Sequence, residues 1–171
     1  MKELVVAIRK ILLLGDPQLY EVAAPVLPRE LDKMQAVVED LHDTMMEFRR
    51  IHGIGRAIAA PQIGVHKRVI YLHIGAPTVF INPVLDRQSP EMIELWDDCM
   101  SFPDLLVKVR RHKSCRITYR DLDWREQSLD LADDLSELLQ HEYDHLDGIL
   151  AVARAIDGQS FALRGEGGIQ P

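Results

Sequence analysis

Gln140-His141-Glu142-Tyr143-Asp144-His145-Leu146-Asp147-Gly148 is the stretch that decides how this chain is read. Residues four apart on a helix share a face, so His141 and His145 can grip one metal ion while Glu142 projects beside it as a base. Leu135, Leu138, Leu139, Glu142 and Leu146 recur at i, i+3, i+4, i+7 and i+11. That stripe predicts a helix over about 134–147, with Glu142 on the buried face and both histidines along its border. Asp133 or Asp134 can cap its start, Glu137 can complete a box with Asp134, and Gly148 is a natural stop. A buried carboxylate without a partner is unfavourable. The combination therefore points to metal binding rather than to a salt-bridged core glutamate and two packed histidines. Two ligands leave such a site incomplete, so a third must come from elsewhere.

Downstream of His145 there is no further histidine, and only Asp147, Asp157 and Glu166 offer carboxylates. An endoprotease of the extended HExxH type would need a ligand there, and Asp147 reads better as the polar end of the helix. Upstream, Trp96-Asp97-Asp98-Cys99-Met100-Ser101-Phe102-Pro103 offers Cys99, which closes an extended run after two acidic residues. Cys115 alternates as a strand residue and reads as packing. A Cys99/His141/His145 set leaves a fourth position open, which is a catalytic rather than a structural arrangement. Gly55-Arg56-Ala57-Ile58-Ala59-Ala60-Pro61-Gln62-Ile63-Gly64 adds small residues that allow close backbone approach and, in Gln62, an amide able to donate to a developing oxyanion.

At 171 residues the chain has the length of a single domain, expected to span 1–171 with a fraying tail from about 158. Its formal charge of −7 speaks against direct nucleic-acid binding. The run Lys108 to Lys113, interrupted by Val109, reads as a solvated strand edge with one structural arginine. No stretch approaches the roughly 18 apolar residues of a membrane span. Leu4 to Ile8 is apolar but ends at Arg9-Lys10, and neither a signal nor a transit peptide is visible. With two cysteines and no disulfide framework, a cytoplasmic protein with reduced thiols is expected.

A first helix is predicted from Pro28 to about Arg50, where Leu31, Met34, Val37, Val38, Leu41, Met45 and Phe48 keep helical spacing. Between the helices the pattern turns to short strands at 57–60, 69–73, 78–81, 92–96, 105–109, 115–120 and 128–131. Strands bracketed by two helices make the fold α+β.

Three segments together resemble the peptide deformylase family, whose signatures are GxGxAAPQ, EGCLS and QHExDHLxG. They read here as Gly55 to Gln62, Asp97-Asp98-Cys99-Met100-Ser101 and Gln140 to Gly148. Gly15-Asp16-Pro17-Gln18-Leu19 and Ile81-Asn82-Pro83 also resemble family stretches, and the likeness covers about residues 10–155. It implies an α+β fold with antiparallel strands around a central metal-binding helix. It further implies one divalent metal ion on Cys99, His141 and His145, commonly Fe²⁺ in cells, with Zn²⁺ or Ni²⁺ in isolated protein. Glu142 would be the general acid/base, and Gln62 with the backbone N–H of Met100 would hold the oxyanion. The substrate would be an N-formylated nascent peptide, giving formate and a free amine, with association with the ribosome.

The departures fall on the substrate lining: Gly55 is kept, but Arg56 replaces an apolar residue, Ala57 a glycine, Asp97-Asp98 the pair Glu-Gly and Met100 a leucine. In the family the residue at position 56 lies by the pocket for the methionine side chain, with Leu138 and Met100 as apolar walls. Arg56 either enters that pocket or points to solvent, and Asp98 either obstructs it or pairs with a nearby base. An alternative register keeps a Gly-x-Gly turn at Gly53-Ile54-Gly55. Arg111 matches a family arginine that Asp97 could pair with to brace the cysteine strand. Two other readings are an amidase for a different small N-acyl group or side chain, and a non-catalytic metal-binding descendant. Retention of Glu142 and Gln62 speaks against the second, since holding a metal needs neither.

Overall fold

The computed structural model of this chain describes residues 7–165. A 3-10 turn at Pro28–Glu30, where Glu30 accepts from the Leu27 N–H (2.8 Å), leads into helix α1, Leu31–His52. Strands β1 (Ala57–Ala59), β2 (Val69–Ile74) and β3 (Ala76–Asp86) follow, then β4 (Met92–Asp97), β5 (Leu105–His112), β6 (Ser114–Arg120) and β7 (Glu126–Ala132). Helix α2 runs Asp133–Leu146, and a last strand, β8, covers Phe161–Leu163. The strands form an antiparallel five-stranded sheet ordered β1-β2-β3-β6-β7 and a three-stranded sheet ordered β4-β5-β8.

The larger sheet lies between the helices, and the alternation of β2 shows how. Val69 and Tyr71 pack with Met34, Val38, Leu41, Met45 and Phe48 of α1. Ile70 and Leu72 face the other way, onto Leu138, Leu139 and Leu146 of α2. Because both faces are covered, the strand reads as a continuous apolar run. Each such side chain contributes about 1.5–3 kcal/mol on burial. In β3 the register shifts between Ile81 and Val84. Asn82 stands there at φ 49° and clamps Val26 through its side-chain amide, accepting from its N–H and donating to its carbonyl, both at 2.8 Å.

Helix α2 is enclosed on nearly every side: from Ser136 to Leu146 all residues but Tyr143 are buried. Leu135, expected on the apolar stripe, is 39% exposed instead. The expected cap at Asp133 or Asp134 is absent: the N-cap position is Ala132, which has no group to offer, and both aspartates lie inside the first turn, with Asp134 and Glu137 paired to Arg56. Gly148 ends it at φ 70°, where a Cβ would collide with the Tyr20 carbonyl.

The tail differs from the fraying segment expected from about 158. Phe161–Leu163 pairs with β5, Ser160 accepts from the Lys108 N–H (2.8 Å), and Arg164 bonds Asp98. Three residues are too few for a readable alternation, and backbone pairing holds them. The expectations for Met1 to Val6 and for 166–171 lie outside the described residues. Among those described, no helix is long and apolar enough to cross a membrane.

Candidate active site

Cys99 sits in the turn that follows β4, closed by the Phe102 N–H donating to its carbonyl (3.1 Å). Helix α2 brings His141 and His145 to it, one turn apart. Cys99 Sγ lies 3.3 Å from His145 Nε2, which lies 3.2 Å from His141 Nε2. All three donor atoms fall within 4.8 Å of one another, and all three residues are buried. Donors bonded to one tetrahedral ion at about 2.0–2.3 Å stand roughly 3–4 Å apart, so this donor set fits a metal ion. One thiolate and two imidazoles suit a borderline-soft divalent cation.

The other nitrogen of His141 is oriented by a carboxylate: Nδ1 lies 2.9 Å from Asp97. Such an outer partner fixes both tautomer and ring plane of a ligand histidine. Asp97 also accepts from Arg111 (3.1 Å), whose guanidinium continues to Asp144, and Asp144 accepts from Arg154 (2.8 Å). Burial resists the charge on Asp97, but His141 and Arg111 hold its pKa below the ordinary carboxylate value. Burial likewise opposes charging His141, yet Asp97 by charge and hydrogen bond, with Cys99 adding, lifts it well above an ordinary histidine. His145 is pushed well below by burial and by neighbouring His141. The expected Asp97–Arg111 brace is present, and Asp97 has the further task on His141 that sequence reading missed.

Glu142 is buried, and its Oε2 has no hydrogen-bond partner among the described residues. Burial foremost pushes its pKa up to about 7. A carboxyl poised there can both take and return a proton near neutrality. Gln62 is 1% exposed, and its orientation is fixed: Oε1 accepts from the Ala59 N–H (3.0 Å), which turns the NH₂ toward Cys99 Sγ (3.6 Å) and Ser101 Oγ (3.2 Å). The amide thus offers a donor beside the cluster. Cys115 lies away from it, buried against Ser136 Oγ (3.4 Å).

These groups open onto a cavity of about 790 Å³ that also touches Gly55, Arg56, Ala57, Asp98, Met100 and Leu138. The sequence-predicted residues are thereby brought to one place. Gly55 takes φ 120° under Phe48 and Met100, and Gly53 is the left-handed cap of α1, so both glycines of the alternative register serve turns. Arg56 lies along the cavity wall with its side chain still 40% exposed, donating to Glu137 (3.0 Å) and to Asp134. Asp98 is paired by Arg164. Asp134 and Glu137 went unrecognised as lining because their positions also suit helix capping.

Comparison with known proteins agrees with this geometry. The Polypeptide deformylase family matches residues 8–160. Peptide deformylase 1 of Prochlorococcus marinus (strain MIT 9313) is 36% identical, over 94% of this chain and 87% of that protein. The actinonin complex of a Synechococcus elongatus peptide deformylase superposes with TM-score 0.83 at 28% identity, over 93% of this chain and 85% of that one. The Met-Ala-Ser-bound class I type b peptide deformylase of Acinetobacter baumannii gives TM-score 0.80 at 29% identity, over 87% and 99%. This chain belongs to the polypeptide deformylase family, metallohydrolases that remove the N-formyl group from peptides.

Proposed function

We propose that the chain is a single catalytic domain that hydrolyses the formyl amide of N-formyl peptides, with formylmethionyl nascent chains as the reference substrate. The observation that carries the assignment of roles is the buried Oε2 of Glu142, without a hydrogen-bond partner among the described residues, beside the Cys99/His141/His145 cluster. Those three residues would hold one divalent cation, Fe²⁺ in cells, replaceable by Zn²⁺ or Ni²⁺. When bound, the cation supplies Lewis acidity at the reacting centre.

The remaining chemistry belongs to the protein's own groups. Glu142 accepts a proton at Oε2 from the attacking water, whose oxygen adds to the formyl carbon. The Gln62 NH₂ and the Met100 N–H donate to the resulting oxyanion. Glu142 then returns its proton to the amide nitrogen as the C–N bond breaks, leaving formate and a free amine. Gly55, Arg56, Ala57, Asp98 and Leu138 would border the peptide. A cytoplasmic enzyme meeting its substrate at or near the ribosome is consistent with this chemistry.

The test is formate release from formyl-Met-Ala-Ser by metal-loaded protein. Glu142→Gln should lower kcat by about 10²–10⁴ with metal content unchanged. Absence of formate, or an unaltered kcat in that variant, would remove the assignment. A second reading, a changed side-chain preference, is favoured by the ion-paired wall that Arg56 builds across the cavity.

A further inference from the structure

The side chain of a formylated residue branches two bonds from the scissile nitrogen, so it must lie against whatever adjoins the donor cluster. On α2 that neighbourhood is set by spacing. Asp134, Glu137 and His141 fall at i, i+3 and i+7, share one face, and all line the cavity. At 1.5 Å per residue, Glu137 stands about 6 Å and Asp134 about 10 Å along the helix axis from His141.

Arg56, just before β1, reaches across to both carboxylates. The Glu137 side chain is 10% exposed and that of Asp134 70%, so the trio runs from the cavity interior to its rim. Two carboxylates face one guanidinium, so the trio carries a negative surplus whenever Glu137, which burial pushes up to about 7, is ionised, and a cationic neighbour favours that ionised form. The apolar side of the cavity is lined by Phe48, Ile54, Met100 and Leu138. The other charged groups nearby are already engaged: Arg49 donates to the carbonyls of Gly55 (2.8 Å) and His73 (2.9 Å), and Asp98 is paired with Arg164.

A purely apolar occupant would take water from Arg56 and Glu137 and return no hydrogen bonds. An acidic occupant would meet the surplus carboxylate. A side chain with an aliphatic stem and a cationic head satisfies both walls, laying its methylenes on the apolar side and its head on the carboxylates. We infer that Arg56, Asp134 and Glu137 are specificity-determining residues that turn this pocket toward a formylated residue of the lysine class. The inference rests on the deformylase reading for its reaction and on the wall alone for its selectivity.

The experiment therefore has two arms. In the first, kcat/KM is measured on formyl-Lys-Ala-Ser, formyl-Met-Ala-Ser, formyl-norleucyl-Ala-Ser and formyl-Glu-Ala-Ser. The lysine peptide should lead the two apolar ones by roughly tenfold or more, with the glutamyl peptide last. In the second, calorimetry follows binding of Lys-Ala-Ser and Met-Ala-Ser to metal-free protein, and the lysine peptide should again bind more tightly. Glu137→Gln, which keeps the shape, should erase most of the lysine advantage in both arms. The triple change Arg56→Ile, Asp134→Leu, Glu137→Ile should reverse it. Formate release from formyl-Met-Ala-Ser with no lysine preference in either arm overturns the pocket assignment and leaves the deformylase. Tighter lysine-peptide binding that Glu137→Gln abolishes, with no formate from any peptide, keeps the pocket assignment and overturns the deformylase. Neither formate nor binding overturns both.

Discussion

Asp97 holds a ligand histidine with one carboxylate and is itself held by Arg111, so its value lies in aim rather than in contact with substrate. Asp97→Asn keeps the shape but removes the charge that orients His141. Metal affinity in that variant should fall by about 10–100-fold, read by competition with a chromogenic chelator. An unchanged affinity would show that the helix alone suffices to aim the ring. Glu137 makes the opposite case, a carboxyl whose environment disfavours its charge. Burial foremost and then Asp97, against Arg56, push it up to about 7 from 4.5. The native protein therefore keeps a proton that the unfolded chain releases, and stability from this group is lost as pH rises from about 4.5 to 7. Glu137→Gln has no such loss. Urea midpoints of metal-free protein should shift in favour of the variant across that window, by about 1–3 kcal/mol. Parallel pH profiles would mean that Arg56 neutralises the charge fully.

At the scale of elements, α2 concentrates the consequences of burial. Its C-terminal stop is fixed by the close approach of Gly148 to Tyr20. Gly148→Ala combines a left-handed backbone with a collision, and should destabilise by more than about 1 kcal/mol in thermal or urea unfolding. A neutral result would require the Tyr20 segment to move aside. How much could be read beforehand follows from distance along the chain. His141 and His145 announce themselves because helix geometry couples residues four apart, and Cys99 because an exposed-looking turn is an odd place for an idle thiol. The links between Asp97 and His141, and between Arg56 and Glu137, join residues 44 and 81 apart, and no local period encodes them. Asp134 and Glu137 were further disguised by fitting a capping box. The strands around them were legible in position but short in extent, since β3 continues to Asp86 through an irregular register at Asn82.

Across the whole molecule, the last described strand ties two regions that the sequence leaves unrelated. β8 completes the smaller sheet, and Arg164 reaches from its end to Asp98, beside Cys99. Phe161 and Leu163 remain largely exposed, so backbone pairing rather than apolar burial carries this strand. Ending the chain at Ser160 should lower the melting temperature by roughly 3–8 °C while the protein still binds its metal. No change in melting would make β8 a passive edge.

Helix α2 is divided along its length in a way that matters beyond any single protein. Its later half, Gln140 to His145, is tied by Asp97 and Arg111 to the cysteine strand, and its earlier half, Asp134 to Glu137, is tied by Arg56 to the strand before the glutamine loop. The two ties share no hydrogen bond. A lineage can therefore rewrite the earlier half, and with it what the pocket welcomes, while every hydrogen bond that aims the donor cluster one to two turns away is kept.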